Sequence, residues 1–292
     1  MKCRNCNSSD VELFHDKVWS ISNGEVYRCS NCELIYITPL MTELEEREFY
    51  KNYINHVKDR GVVFHDSIEA FHKKSQVVAR ERIRVIGDFF KTQRENGRKV
   101  LEVGSSTGAF LSLLADCETH ACELSEDHLK YSQKFINGST FSSLEEVSES
   151  NFDIICMFHV FEHIKNPQHF LNQCKSLLKD NGHILIEVPC SNDPLITLYD
   201  CEAFKDFVFQ PMHPMVYNEK SLDFIFSKSG FCREDVIYHQ RYGLDNHLSW
   251  LKNKQPGGDM FLQELFGSNE EYKQKLVQIK KTDTIFYIAS KE

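Results

Sequence analysis

Residues Lys99–Phe110 read KVLEVGSSTGAF. Val100, Leu101 and Val103 make a short apolar run of the kind buried inside a parallel sheet, and it stops at Gly104. Gly108 follows, and the spacing of Leu111, Leu113 and Leu114 predicts a helix opening there. A strand, a glycine turn and a helix N-terminus bring unpaired backbone N–H groups to one point, where an electron-rich ligand can sit. The two glycines stand four apart, with Glu102 two residues ahead of the first. That spacing departs from the G-x-G-x-x-G of dinucleotide-binding turns.

Strand and helix signals alternate on either side of this stretch. Upstream, Thr42 and Glu45 form a capping-box pattern that predicts a helix through Phe49 and Tyr53, followed by a loop at Val57–Asp66. Ala79, Ile83, Ile86 and Phe90 carry helical spacing within Ser67–Gln93. Downstream, Thr119–Glu123 reads as a strand, Asp127–Ile136 as a helix, and Thr140–Phe141 as a short strand. FDIICMF at Phe152–Phe158 is a continuous apolar run, typical of a strand covered on both faces, and it leads into His159-Val160-Phe161-Glu162-His163. A helix at Asn166–Leu178 stops at Asn181-Gly182, and His183–Val188 (HILIEV) is a further strand. Cys190–Phe209 reads as aromatic-rich and irregular, Glu219–Lys228 as a helix, and Glu234–Gln240 and Thr284–Ser290 as the last two strands. The long connection Arg241–Asp283 holds a Pro-Gly-Gly turn and a helical stretch through Phe261–Ile279.

The motif Glu102-x-Gly104-x-x-x-Gly108, the run FDIICMF…HVFEHI and the strand HILIEV resemble the class I S-adenosylmethionine (SAM)-dependent methyltransferases over roughly residues 98–190. The resemblance implies an α/β fold: a Rossmann-like sheet of seven strands, mostly parallel with the last antiparallel, and a helical insertion at 241–283. It also implies that SAM lies against Glu102, Gly104, Ser105, Ser106 and Gly108. Leu124 and Phe158 would flank the ligand. Glu123, at the tip of the second strand, can accept both ribose hydroxyls with its two oxygens. Ser106 replaces the family's middle glycine, at a position expected to manage without positive φ.

Methyl transfer needs an acceptor held in line with the methyl carbon and sulfur, water excluded, and a proton removed when the acceptor is a hydroxyl. If the chain turns helical after Phe158, then His159, Glu162 and His163 share one face, so that either histidine can take the proton with Glu162 orienting it. His213, between Pro211-Met212 and Pro214, is a further candidate base. The same residues could instead brace their loops. The small-RNA 2′-O-methyltransferases bind magnesium through an E-x-x-E-H run and a distant histidine. This chain is similar, with His159 in place of the first glutamate and His213 placed for the last ligand. Loss of that carboxylate argues against a hard cation, so a catalytic divalent metal is not favoured. H-x-x-E-H also spells the inverted zincin motif of metallohydrolases, which needs the middle of a long helix and leaves the glycine turn unexplained. A non-catalytic SAM- or nucleotide-binding protein is another alternative.

Cys3-x-x-Cys6 and Cys29-x-x-Cys32 are separated by 22 residues. Two such knuckles complete a tetrahedral four-thiolate site for structural Zn2+, with a redox pair as the alternative. Asn7 and Glu33 stand where a glycine is common after a knuckle, and Asn tolerates the left-handed conformation. Residues 1–40 are thus expected to form a zinc-ribbon-like module closed by Pro39, residues 41–97 a helical linker or cover, and residues 98–292 the methyltransferase domain. With this module the chain resembles methyltransferases of nucleotide sugars, glycans and natural products. That resemblance implies a small polar acceptor, such as a nucleotide sugar or glycan precursor. Its members are generally longer than this chain, and the histidines favour O-methylation over C- or N-methylation.

The net charge of −9 argues against nucleic acid as a partner. One local exception, Lys73–Lys99 with nine Lys or Arg against three acids, reads as a solvated helix face or as a surface for a phosphate-bearing substrate. No apolar run reaches membrane-spanning length, and Met1–Cys6 lacks the apolar segment of a signal peptide, so a cytoplasmic location is expected. The insertion reads as a lid or as the contact of a homodimer.

Overall fold

The computed structural model describes residues 1–51, 67–92, 97–267 and 269–292. The expected helical continuation to Tyr53, the loop Val57–Asp66 and the helix end at Gln93 lie outside the described residues. In chain order the strands are β1 (Val11–His15), β2 (Glu25–Cys29), β3 (Ile35–Thr38), β4 (Arg98–Val103), β5 (Cys117–Cys122), β6 (Thr140–Phe141), β7 (Phe152–Phe158), β8 (Leu178–Pro189), β9 (Met215–Val216), β10 (Phe231–His239) and β11 (Thr284–Lys291). The helices are α1 (Glu43–Lys51), α2 (Ile68–Thr92), α3 (Glu126–Ser132), α4 (Pro167–Leu177), α5 (Pro194–Thr197), α6 (Glu202–Val208), α7 (Glu219–Lys228), α8 (Leu244–Asn253), α9 (Met260–Phe266) and α10 (Glu270–Gln278).

Seven strands form the main sheet in the order β10-β11-β8-β7-β4-β5-β6. β11 runs antiparallel to both of its neighbours, and the other pairs are parallel. This is the Rossmann-like methyltransferase sheet that the motifs imply. Its apolar strands are covered on both faces, and the two-residue side-chain period sorts them. Leu101, Val103, Ile155, Met157, Ile184 and Ile186 belong to the core on one face, with Phe161 and Phe226. Val100, Ile154, Cys156, Leu185 and Phe286 belong to the core on the other, under Ala79 and Ile86 of α2. The same period sends Glu102 of β4, Phe158 of β7 and Glu187 of β8 to the α2 face, at the carboxyl ends of three adjacent strands.

Several elements differ from expectation. After Gly108 the chain makes one turn and a 3-10 turn at Leu111–Leu113 rather than an α-helix. Only eight residues separate Gly108 from Cys117. As a helix they would travel about 12 Å, short of the ~20 Å needed to return along the six-residue β4. Cys190–Phe209, expected to be irregular, contains α5 and α6. Asp193 caps α5 by accepting the Leu195 N–H at 2.7 Å, and Pro194 occupies its first turn. The segment after Phe158 is a 3-10 turn, Phe161–His163, because His159 takes a left-handed φ of 56° and breaks a continuous helix. Ser106 likewise adopts φ 49°, against expectation. α3 ends at Ser132, four residues short of the expected end.

The capping box stands as read: the Thr42 N–H donates to Glu45 Oε2 at 2.7 Å and the Glu45 N–H to Thr42 Oγ1 at 3.3 Å. The cysteine module builds a sheet from β1, β2 and β3, in which Val18–Ile21 is a bridged turn rather than a strand. Its fourth strand, β9, comes from far along the chain, pairing Ile35 with Val216 and Tyr36 with Met215. Cys3, Leu34 and Tyr36 share a core with Tyr217 and Phe226. Within the insertion, Trp250 packs edge-on to Phe204 at 5.1 Å and against Phe207 at 5.2 Å. The Tyr272 hydroxyl lies 2.8 Å from that of Tyr199 and 2.6 Å from His247 Nδ1. The insertion therefore closes onto α5 and α6.

Candidate active site

The turn after β4 is held in a left-handed path by Gly104 (φ 71°) and Gly108 (φ 73°). A Cβ on Gly104 would lie 2.4 Å from Val160 Cγ2, so the backbone there comes close to the turn after β7. Both oxygens of Glu123 accept backbone N–H groups at 2.8 Å, from Ser106 and from Ser125. That fixes the carboxylate across from the glycine turn and leaves each oxygen a further lone pair. Leu124, next in line, is 84% exposed and is not among the residues that line the cavity described next.

Beneath the turn lies a cavity of about 230 Å³, lined by Glu102, Gly104, Ser105, Ser106 and Phe158 from the sheet side and by Phe71, Ala79 and Arg82 from α2. Glu102 is 3% exposed, and its Oε2 has no hydrogen-bond partner, nor has Ser105 Oγ. Burial, only partly offset by Arg82, pushes the Glu102 carboxyl up to about 8. A buried acid with an unpaired oxygen, facing a cavity beside a guanidinium, suits a ligand carrying both an ammonium and a carboxylate, as the amino-acid end of SAM does.

Arg82, whose role the sequence did not disclose, is 18% exposed in its side chain. Its Nε donates to Glu187 Oε2 at 2.5 Å, and its guanidinium lies 4.6 Å from the Phe158 ring centroid. Burial alone would raise Glu187, but the hydrogen bond from His159 and the charges of His159, Arg82 and Arg241 hold its carboxyl at about 2. Arg82 looks, by sequence, like one of the basic residues of a solvated helix face. The one available signal was its place three residues from Ala79, on the apolar stripe.

His159 sits one residue beyond Phe158. Its Nδ1 is 3.2 Å from Glu162 Oε1, and its Nε2 is 3.4 Å from Glu187 Oε1 and 3.2 Å from an Arg241 guanidinium nitrogen. Burial works against its charge, but the two carboxylates outweigh it and the His159 pKa is raised. Arg241 is itself anchored, its Nε donating to Asp283 Oδ1 at 2.9 Å. His163 turns the other way: its Nδ1 donates to the Met212 carbonyl at 2.6 Å, and its ring lies 4.9 Å from that of His213. Glu162 thus stands between His159 on one side and the His163–His213 pair on the other. Burial would raise the Glu162 carboxyl, yet the imidazoles lower it.

The four N-terminal cysteines gather at one point. Cys3 and Cys32 Sγ are 3.5 Å apart, as are Cys6 and Cys29 Sγ, and all four sulfurs lie within 4.8 Å of one another. Asn7 and Glu33, one residue past each knuckle, adopt φ of 59° and 61°. The Asn5 N–H donates to Cys3 Sγ at 3.4 Å. The close contact with the Cys32 thiol favours the thiolate at Cys3 and lowers its pKa.

A methyltransferase-domain family matches residues 71–233, more than half of the chain. A probable S-adenosylmethionine-dependent methyltransferase of Mycolicibacterium smegmatis is 25% identical over 148 residues, 48% of this chain and 54% of that protein. A ubiquinone biosynthesis O-methyltransferase of Glaesserella parasuis is 29% identical over 120 residues, 36% of this chain and 50% of that one. The chain spans about half the length of these curated relatives. Among solved structures, the magnesium protoporphyrin IX methyltransferase of Synechocystis PCC 6803 with bound S-adenosylhomocysteine has a TM-score of 0.51 at 10% identity, covering 86% of this chain and 100% of that one. At that identity the likeness concerns the fold alone. The family match runs from Phe71, at the wall of the cavity, through the whole glycine cradle, and the chain belongs to the methyltransferase-domain family.

Proposed function

We propose that this chain transfers a methyl group from SAM to a hydroxyl of a small polar acceptor, a sugar-, nucleotide- or phosphate-linked precursor of a glycan or natural product. The observation that carries the reading is the buried, unpartnered Glu102 oxygen facing a cavity beside Arg82 and the glycine cradle. SAM, when bound, supplies an activated methyl group whose leaving group is a neutral thioether. Glu102 would take its ammonium, Arg82 its carboxylate and Glu123 its ribose hydroxyls. His159 would accept the acceptor's proton, with Glu162 holding the ring by Nδ1. Because its pKa is raised, His159 serves as a base only above its ordinary titration range. A structural zinc ion on Cys3, Cys6, Cys29 and Cys32 would hold the ribbon together.

The test is S-adenosylhomocysteine release from purified protein with SAM and a panel of nucleotide sugars, glycan precursors and small phenols. Turnover with a sugar-bearing hydroxyl is expected. Turnover confined to phenols would replace the acceptor class, and SAM binding without any turnover would turn the reading to a non-catalytic binder.

A further inference from the structure

We propose that a cavity between the cysteine module and the turn after β8 binds the phosphate or diphosphate group of a small molecule. It measures about 410 Å³, within the range of small-molecule sites, and shares no lining residue with the cavity beside the glycine cradle. Three parts of the chain wall it: Arg28 of β2; Ser191 and Asn192 after β8, with Lys205 of α6; and Lys281 ahead of β11. The two-residue period of β2 puts Arg28 on the same face as Val26, and its partner across the strand pair is Ile35. Val26 and Ile35 are buried there in one core with Ile196 and Phe209. A half-buried arginine in that row stands where packing alone calls for an apolar residue.

Lys205 is already neutralised. Its Nζ, on a side chain 8% exposed, donates to Asp200 at 2.5 Å and to Glu202 at 2.7 Å. Asp200 is the one acid among the described lining residues, and that pair engages it. Arg28 and Lys281 differ. Among the described residues neither side chain has a hydrogen bond or ion pair, and the charge of Arg28 is felt at Glu33, which Lys220 and Asn218 already hold. Two half-buried cations at one cavity lose hydration and repel each other unless an anion meets them. Ser191, on the cavity wall, is 4% exposed, and its hydroxyl has no hydrogen-bond partner among the described residues. A guanidinium forks onto two phosphate oxygens, an ammonium adds a point charge, and the Ser191 hydroxyl and Asn192 amide add neutral donors. Ser191 follows Glu187 by four residues, at most about 14 Å of chain. Lys281 precedes Asp283, the anchor of Arg241, by two. Glu187 and Arg241 both contact His159 Nε2. Held here by its diphosphate, the acceptor would present its sugar toward that histidine. Only this use rests on the proposed function; anion binding does not.

The experiment is a calorimetric titration of the full chain with inorganic pyrophosphate, with zinc on the cysteines and neither SAM nor acceptor present. About one equivalent is expected to bind to the wild type. Arg28→Gln and Lys281→Gln are each expected to weaken binding about tenfold, the size of one lost charged hydrogen bond. Lys228→Gln, an exposed change outside the cavity, is expected to leave it unaltered. Arg28 and Lys281 sit on different parts of the chain, so poor folding of one variant leaves the other as the test. No heat with wild type, wild-type affinity in both Arg28→Gln and Lys281→Gln, or equal weakening in Lys228→Gln overturns the proposal. Pyrophosphate binding that depends on both residues, without methyl transfer to any acceptor, upholds the site and removes the proposed function. Methyl transfer to a sugar hydroxyl by a wild type that binds no pyrophosphate keeps that function and overturns the site.

Discussion

Glu102 and Glu187 stand two strands apart on one sheet face, and burial has opposite outcomes for them. Glu102, short of partners, keeps its proton to about pH 8; Glu187, between Arg82 and His159, stays ionised down to about pH 2. The consequences for stability have opposite signs. A carboxyl with a raised folded pKa contributes fully at low pH and loses that contribution as pH rises from about 4.5 to 8. Glu102→Gln should therefore gain in melting temperature relative to wild type across that window, while its SAM affinity, measured by calorimetry, falls about tenfold for one lost charged hydrogen bond. Glu187 contributes above pH 4.5 and loses its contribution as pH falls toward 2. Glu187→Gln should melt lower than wild type at pH 7, with the gap closing in acid. His159→Ala should cut kcat by roughly 10²–10⁴-fold, and the wild-type rate should climb with pH through a midpoint above the ordinary imidazole value. A flat profile would remove His159 as the base. Glu102, Gly104 and Glu123 could be placed together from the sequence because their spacing lies within one β-turn-β unit. Arg82 could not, because its place at the cavity depends on which residue of a distant helix lands over the ends of β7 and β8.

Strands were more legible than turns. Phe152–Phe158 is the strand its apolar run announces, since Phe152 and Ile154–Phe158 can be buried only between two covered faces, and Asp153 near its start accepts the Lys99 N–H. The return after Gly108 is not the helix its leucines suggest, because leucine spacing describes which side chains are buried, while the eight-residue connection decides the geometry. Short helices such as α5 are signalled by their caps, here Asp193-Pro194, more than by periodicity. The Gly104 turn is where one element constrains another. Gly104→Ala should lower stability by about 1–3 kcal/mol and weaken SAM binding, since a side chain at φ 71° is strained and meets Val160. Adding Val160→Ala should restore part of the loss in urea unfolding, because it relieves the contact but not the backbone strain. Full recovery would show that the collision alone matters.

Across the molecule, packing ties three parts of the chain together: the cysteine module, the sheet and the insertion. Trp250→Ala empties the seam between the insertion and α6, and a loss of about 3–5 kcal/mol in urea unfolding is expected. With zinc held as proposed, a strong chelator should lower the melting temperature and strip hydrogen-exchange protection from Ile35–Ile37 and Met215–Val216, while the β4–β7 amides stay protected. Uniform loss across both sheets would mean that the module has no separate stability. The pairing of β3 with β9 also bears on synthesis. Ribosomes add about 5–20 residues per second, so roughly ten to forty seconds separate the emergence of Tyr36 from that of Met215. Throughout that interval the nascent ribbon exposes an unmatched edge, a template for any passing strand. The final hydrogen bonds of that sheet thus wait until the whole segment between β3 and β9 has been made.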